Sequence, residues 1–303
     1  MEKFFTNKRN AILISIFAMI LWGSAIPLIK FTYQYLNITS DDTGSKILVA
    51  GMRFFMAGIL SYIYYYIIEK KSKTKEVNSK LKLKFVVVLA LIQTFLQYFF
   101  YYIGLSHIEG SKSSVIQASN AFFSVIIAVI LIEDEHLTLK KILALIFGTI
   151  GILIVNLNGL GEFSFSFTGE GFIIFATLFG ALANVFLRKY GKNYNSFTLI
   201  ASQFIVGSIP LIIIGAISHQ ADISLDLRLF LYLSYGAFIS ATAFCLWTLV
   251  LKYNQASEFS IYKLFVPIFG TIFSIIFLKD PLTLRLILGL AFVLTGSRIL
   301  NKK

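Results

Sequence analysis

The sequence predicts an all-α integral membrane protein, with ten transmembrane helices arranged as two inverted five-helix repeats. The first ground is composition. Of the 303 residues 57% are hydrophobic and 14% charged, and the mean hydropathy is +0.80. Soluble domains are about 45–50% apolar and about 25% charged, so a soluble enzyme, a disordered chain and a coiled coil are set aside. The second is a series of apolar runs of bilayer-spanning length, about 17–25 residues. The third is an internal repeat that relates the two halves.

The runs lie near 11–35, 45–68, 84–105, 113–132, 139–156, 169–188, 196–217, 228–251, 258–278 and 283–300. A helix satisfies its own backbone polar groups in lipid, so each run is read as a helix. A β-barrel would show short alternating segments, whereas Phe85 to Ile92 and Val125 to Ile132 are unbroken. Residues 11–29 lack a small-residue cleavage site and are read as a span, not a cleavable signal peptide. With the N-terminus inside, the inner segments hold nineteen Lys and Arg and the outer ones five. That bias places both termini in the cytoplasm. It also accounts for the net charge of +12 without nucleic acid as a partner. The expected location is the plasma (inner) membrane. The single cysteine, Cys245, falls in an apolar span as a packing residue.

Glu135 to Ile154 aligns with Asp280 to Ile299 at a constant offset of 145, and nine of the twenty positions are identical. The opening spans echo each other too: Trp22-Gly23 with Lys30 corresponds to Phe179-Gly180 with Arg188. The repeats are taken as 11–156 and 169–300. Five spans is an odd number, so the second copy enters from the opposite side, an arrangement recurrent in transporters with a site near mid-membrane between the repeats.

On these residues the chain resembles the drug/metabolite transporter superfamily, EamA type. The features are Trp22-Gly23-Ser24 with Lys30, Arg53-Phe-Phe-Met-Ala-Gly58, Glu135-His-Leu-Thr138, Pro267-Ile-Phe-Gly270 and Asp280-Pro-Leu-Thr283. The resemblance covers nearly the whole chain. It implies ten helices around a central cavity, in a family mostly of exporters of amino acids and related metabolites, with some importers. The chain departs from the pattern at Phe122, which aligns with Pro267, so symmetric kinks are not expected.

Polar side chains inside spans are candidate pathway residues. Ser113, Gln117, Asn120 and Ser124 share one face of the fourth span, and Gln93, Gln97 and Tyr101 one face of the third. The competing reading is interhelical packing, worth about 0.6 kcal/mol per hydrogen bond. In the ninth span Ser260, Lys263, Pro267, Thr271 and Ser274 form a stripe. Lys263 could attract a substrate carboxylate, with Tyr262 stacking beside it, or it could snorkel to the inner surface roughly 9 Å away. Asn184 needs a partner in lipid, and Trp22, Tyr98 and Trp247 could flank the route. Lys30 and Arg53 are assigned gating or structural roles, facing Asp41 or Asp42. Glu109 and Glu258 sit at span ends and are read as solvated.

Glu133-Asp-Glu-His136 has no second histidine nearby and is read as a solvated turn, so no metal is expected. No P-loop, metalloprotease motif or catalytic triad is present, and no enzyme activity or cofactor is expected. The expected function is secondary transport of a small polar metabolite, an amino acid or derivative, outward by alternating access. The alternatives are a nutrient importer, a multidrug cation exporter, or a membrane receptor or scaffold without transport. The expected partners are the lipid bilayer and the small-molecule substrate, and a homodimer is compatible with the sequence.

Overall fold

The computed structural model describes residues 2–69, 81–133, 135–157, 164–191, 194–254 and 259–301. Among them there are helices and no strands. After a one-turn helix, Glu2–Phe5, ten rods follow. They are α1 (Lys8–Tyr35), α2 (Thr43–Ile68), α3 (Leu83–His107), α4 (Gly110–Leu131) and α5 (Leu139–Val155). In the second half they are α6 (Phe167–Tyr190), α7 (Ser196–Ser218), α8 (Leu227–Tyr253), α9 (Phe265–Leu278) and α10 (Leu284–Asn301). Seven of these, α1–α4 and α6–α8, are long and apolar enough to cross a membrane. The three others are shorter.

Polar residues between the apolar runs start the helices. Asn7 accepts from the N–H groups of Arg9 and Asn10 at α1. Asn195 accepts from Phe197 and Thr198 at α7, and Asp226 from Leu229 at α8. Each side chain satisfies first-turn donors that the helix cannot satisfy itself. Asp42 does the same at α2 through Ser45, and also accepts from the N–H groups of Gln220 and Ala221 ahead of α8.

The most extensive contacts join α2 to α7 and α5 to α10. Next come α1 with α9 and α8, α2 with α8, α4 with α6 and α9, and α6 and α7 with α3. Exchanging α1–α5 for α6–α10 maps this set onto itself: α2–α7, α5–α10 and α4–α9 are each their own counterpart, and the other six pairings interchange two by two.

Besides the π-helical stretches in α2, α3 and α6, α4 and α9 are irregular at corresponding places. In α4 the helix stops at Gln117 and restarts at Ser119, and Ala118 is a turn residue. In α9 a 3-10 segment, Ser260–Leu264, precedes the α-helix. The offset of 145 aligns Ala118 with Lys263. Pro267 has no N–H for the Lys263 carbonyl, which accounts for the irregularity in α9. Its aligned residue Phe122 has an N–H, yet α4 is interrupted all the same, so the irregularity is shared although the proline is not.

Small residues let the helices close up. A Cβ on Gly110 would lie 2.5 Å from Ser274 Oγ, and one on Gly270 would lie 2.3 Å from Ser114 Oγ. Along this α4–α9 seam the hydroxyls of Ser111, Ser113, Ser114, Thr271 and Ser274 are buried without a hydrogen-bond partner. Elsewhere Ser15, Thr32 and Ser61 donate to the carbonyl four residues earlier at 2.7–2.8 Å. The α5–α10 pair is tighter still, since a Cβ on Gly289 would lie 2.1 Å from Val155 Cγ2 and 2.8 Å from the Gly151 carbonyl oxygen. Gly289→Ala is therefore expected to destabilise the protein by about 1–3 kcal/mol, seen as a lower thermal midpoint in detergent than for the surface control Leu288→Ala.

Candidate functional site

The sequence-predicted polar residues of α3, α4 and α6 meet in one network. Gln117 Nε2 donates to the Tyr101 hydroxyl at 3.1 Å. Asn120 Nδ2 donates to the Thr177 carbonyl at 3.0 Å, and Asn184 Nδ2 donates to Asn120 Oδ1 at 3.0 Å. The hydroxyls of Ser119 and Thr177 are 3.0 Å apart. Gln97 joins by contact: a Cβ on Gly180 would sit 2.8 Å from Asn120 Nδ2 and 3.1 Å from Gln97 Cδ. Only glycine there lets both amides approach α6. Among the described residues Gln97 Oε1 has no hydrogen-bond partner, so there the network ends on an unused acceptor. Gln93 lies one turn before Gln97, within the π-helical stretch Ala90–Leu96 of α3. It is buried, with an unpartnered Oε1, and no hydrogen bond joins it to the network among the described residues. Sequence reasoning missed Thr177 and Ser119: Thr177, which takes part through both its carbonyl and its hydroxyl, is an isolated threonine in an apolar run, and Ser119 lies off the polar stripe.

The second group stands on α8 and α9. Lys263 is exposed, and its ammonium lies 5.4 Å from the centroid of the Trp247 ring. Trp247 is buried in α8, so the lysine stem runs along the bundle against a neighbouring helix. No carboxylate pairs with Lys263 among the described residues, and Glu258 lies outside them. Tyr262 stacks on Phe265 with 6.3 Å between ring centroids. Trp22 of α1 meets Trp247 at 6.4 Å and Phe244 at 5.2 Å.

Aromatic rings connect the groups. From Tyr101 the contacts run through Tyr98, Phe54, Phe204, Phe244 and Trp22 to Trp247, with successive centroids 3.9–6.4 Å apart. These contacts pass through the packed interior, where Phe54 and Phe204 are fully buried, and link Tyr101 of the amide network to Trp247 beside Lys263.

Arg53 and Lys30 do not face Asp41 or Asp42 as expected. Arg53 is buried and each of its three nitrogens donates: Nε to the Gly236 carbonyl, Nη1 to the Tyr102 hydroxyl and Nη2 to Ser240 Oγ, each at 3.0 Å. It ties α2 to α3 and α8. Lys30 Nζ donates to the Ile108 carbonyl at 2.5 Å. Asp42 is taken up by the backbone ahead of α8, while Lys46 donates to the Ser40 carbonyl.

Glu135 is not a solvated turn residue. It accepts from Lys141 at 2.5 Å and from Arg188 of α6 at 2.6 Å. These hydrogen bonds, first Lys141 and then Arg188, hold its carboxyl below the usual carboxylate range. Lys189 adds a bond to the Leu131 carbonyl at 2.6 Å.

The EamA-like transporter family profile matches residues 9–157 and again 167–302. The chain belongs to the EamA-like transporter family. It is therefore a multi-pass membrane transporter. Among EamA relatives it is 27% identical to the uncharacterized transporter YvbV of Bacillus subtilis, over 97% of this chain and 92% of that one. It is 26% identical to an uncharacterized transporter of Archaeoglobus fulgidus, over 93% and 95%. A protein crystal structure at 13% identity aligns with a TM-score of 0.68, covering 97% of both chains. At that identity the likeness concerns the fold alone.

Two expectations follow. A double-mutant cycle of Asn120→Ala and Asn184→Ala should give a coupling energy of about 0.6 kcal/mol, and no more than about 1.7, in denaturant-induced unfolding. Because the Glu135 carboxyl titrates lower in the folded state, its stabilisation is complete above the ordinary carboxylate range and is lost as pH falls through the lowered value. The difference in thermal midpoint between wild type and Glu135→Gln should be present at pH 7 and vanish on acidification.

Proposed function

We propose that this EamA transporter is a ten-helix secondary carrier of the plasma membrane, built as two inverted repeats (11–156 and 169–300) with both termini cytoplasmic. It exports a small zwitterionic metabolite, an amino acid or derivative, by alternating access. The exchange symmetry of the helix pairings and the matched irregularities of α4 and α9 support the inverted duplication. The positive-inside bias supports the orientation.

The observation that carries the substrate class is the unpaired ammonium of Lys263 above the Trp247 face. An ammonium within a helical bundle seeks an anion, and a substrate carboxylate supplies one. The unpartnered Gln97 Oε1 supplies an acceptor for a substrate ammonium. Gln117, Asn120 and Asn184 hold that acceptor's surroundings in place, and Tyr101, Trp247 and Tyr262 form the apolar wall. Gln93 extends the polar face one turn further along α3. A cation exporter fits less well, because Lys263 would repel its substrate.

The test is counterflow in proteoliposomes against labelled amino acids, nucleosides and organic cations. Saturable counterflow of amino acids is expected. Lys263→Gln should raise the KM for carboxylate-bearing solutes at least about tenfold, the loss of a charge-assisted contact, without lowering the thermal midpoint. Unchanged transport in that variant, or transport of cations alone, would overturn the assignment.

A further inference from the structure

The inner and outer ends of the protein carry two matched charge arrangements, and only one of them is joined. At the inner end, α6 of the second half grips the α4–α5 corner of the first. Arg188 pairs with Glu135 at 2.6 Å, and Lys189 holds the Leu131 carbonyl. The repeat identifies the outer counterpart. Glu135 aligns with Asp280, which lies in the α9–α10 corner of the second half. Lys30 of α1 occupies the turn that corresponds to Arg188 of α6, one residue from strict alignment. Each half thus has a cation on its first helix and an acid between its fourth and fifth helices, and each cation faces the other half's acid.

The outer pair is parted. Lys30 Nζ bonds the Ile108 carbonyl, and Asp280 Oδ2 accepts from the Ser111 N–H at 2.8 Å. Both groups hold the same short α3–α4 corner, three residues apart. The acidic groups acting on Lys30 there are Asp280 and Glu109. A lysine that exchanged the Ile108 carbonyl for the Asp280 carboxylate would gain a charge-assisted bond.

We propose that Glu135–Arg188 and Asp280–Lys30 are the inner and outer latches of one two-state cycle, each made when the other is broken. In this structure the inner latch is closed. The proposal rests on the alternating-access reading above. It adds the residues that bias the two states, and two packings of similar energy are what such a switch requires.

The test measures distances by paired spin labels, without reference to any substrate. On a Cys245→Ser background, Lys140→Cys with Tyr190→Cys reports the inner end, and Gln34→Cys with Leu282→Cys the outer end. Arg188→Glu should shift the inner pair toward a longer distance and the outer pair toward a shorter one, changing the population ratio at least about fivefold. Arg188→Lys should keep the wild-type distribution, and the exchange Glu135→Arg with Arg188→Glu should restore it, which separates latch loss from misfolding. Adding Lys30→Met to Arg188→Glu should abolish the outer shortening. Unchanged distances in Arg188→Glu, or no recovery in the exchanged pair, would overturn the latch. If solutes found by counterflow still interconvert the two distances in that case, alternating access stands without the latch. If nothing interconverts them, the underlying reading fails as well.

Discussion

A hydrocarbon interior offers no hydrogen bonds, so each polar group within the bundle must find its partner in the protein. That constraint orders much of the structure. Arg53, deep in α2, spends its donors on a carbonyl and two hydroxyls from α8 and α3. Several intrahelical serines and threonines, Ser15, Thr32 and Ser61 among them, turn back onto their own helix. The amides of α3, α4 and α6 chain together. Among the described residues ten buried side-chain atoms stay unmatched, Gln97 Oε1 and Gln93 Oε1 of α3 and five hydroxyls of the α4–α9 seam among them.

The family assignment and the geometry support each other at different levels. The profile match to both halves gives a transporter, and the paired contacts give the plan on which such a transporter is built. The chemistry of selection is a property of single residues. The lysine above the indole and the amide oxygen without a donor are the residues on which the proposed substrate class rests.

Much of this was legible in the sequence. Helices stand over the ten apolar runs, seven of them long and apolar enough to cross a membrane, and several polar residues between them became caps. The helical spacing of Gln117 and Asn120, and of Gln97 and Tyr101, placed each pair on a common face that the network then used. What escaped was of two kinds. Contacts to backbone carbonyls carry no side-chain signature, so Lys30 and Thr177 could not be partnered. Contacts across the halves, such as Glu135 with Arg188 or Arg53 with Gly236, join residues far apart in the chain, and local patterning does not encode them. The interruption of α4 at Ala118 was also hidden, because no proline marks it.

The seam between α4 and α9 has a mechanical consequence. Its buried hydroxyls make no bonds across the interface or back along their own helices, and glycines let the helices lie in close contact. A seam stitched by directional bonds has a preferred register and resists sliding. Among the described residues the hydroxyls of this one add no such bonds, and between its ends the helices meet by dispersion and close fit, which change gradually with displacement. The two interrupted helices therefore meet on a smooth, closely fitted surface, while the broadest helix contacts lie elsewhere, in the α2–α7 and α5–α10 pairs.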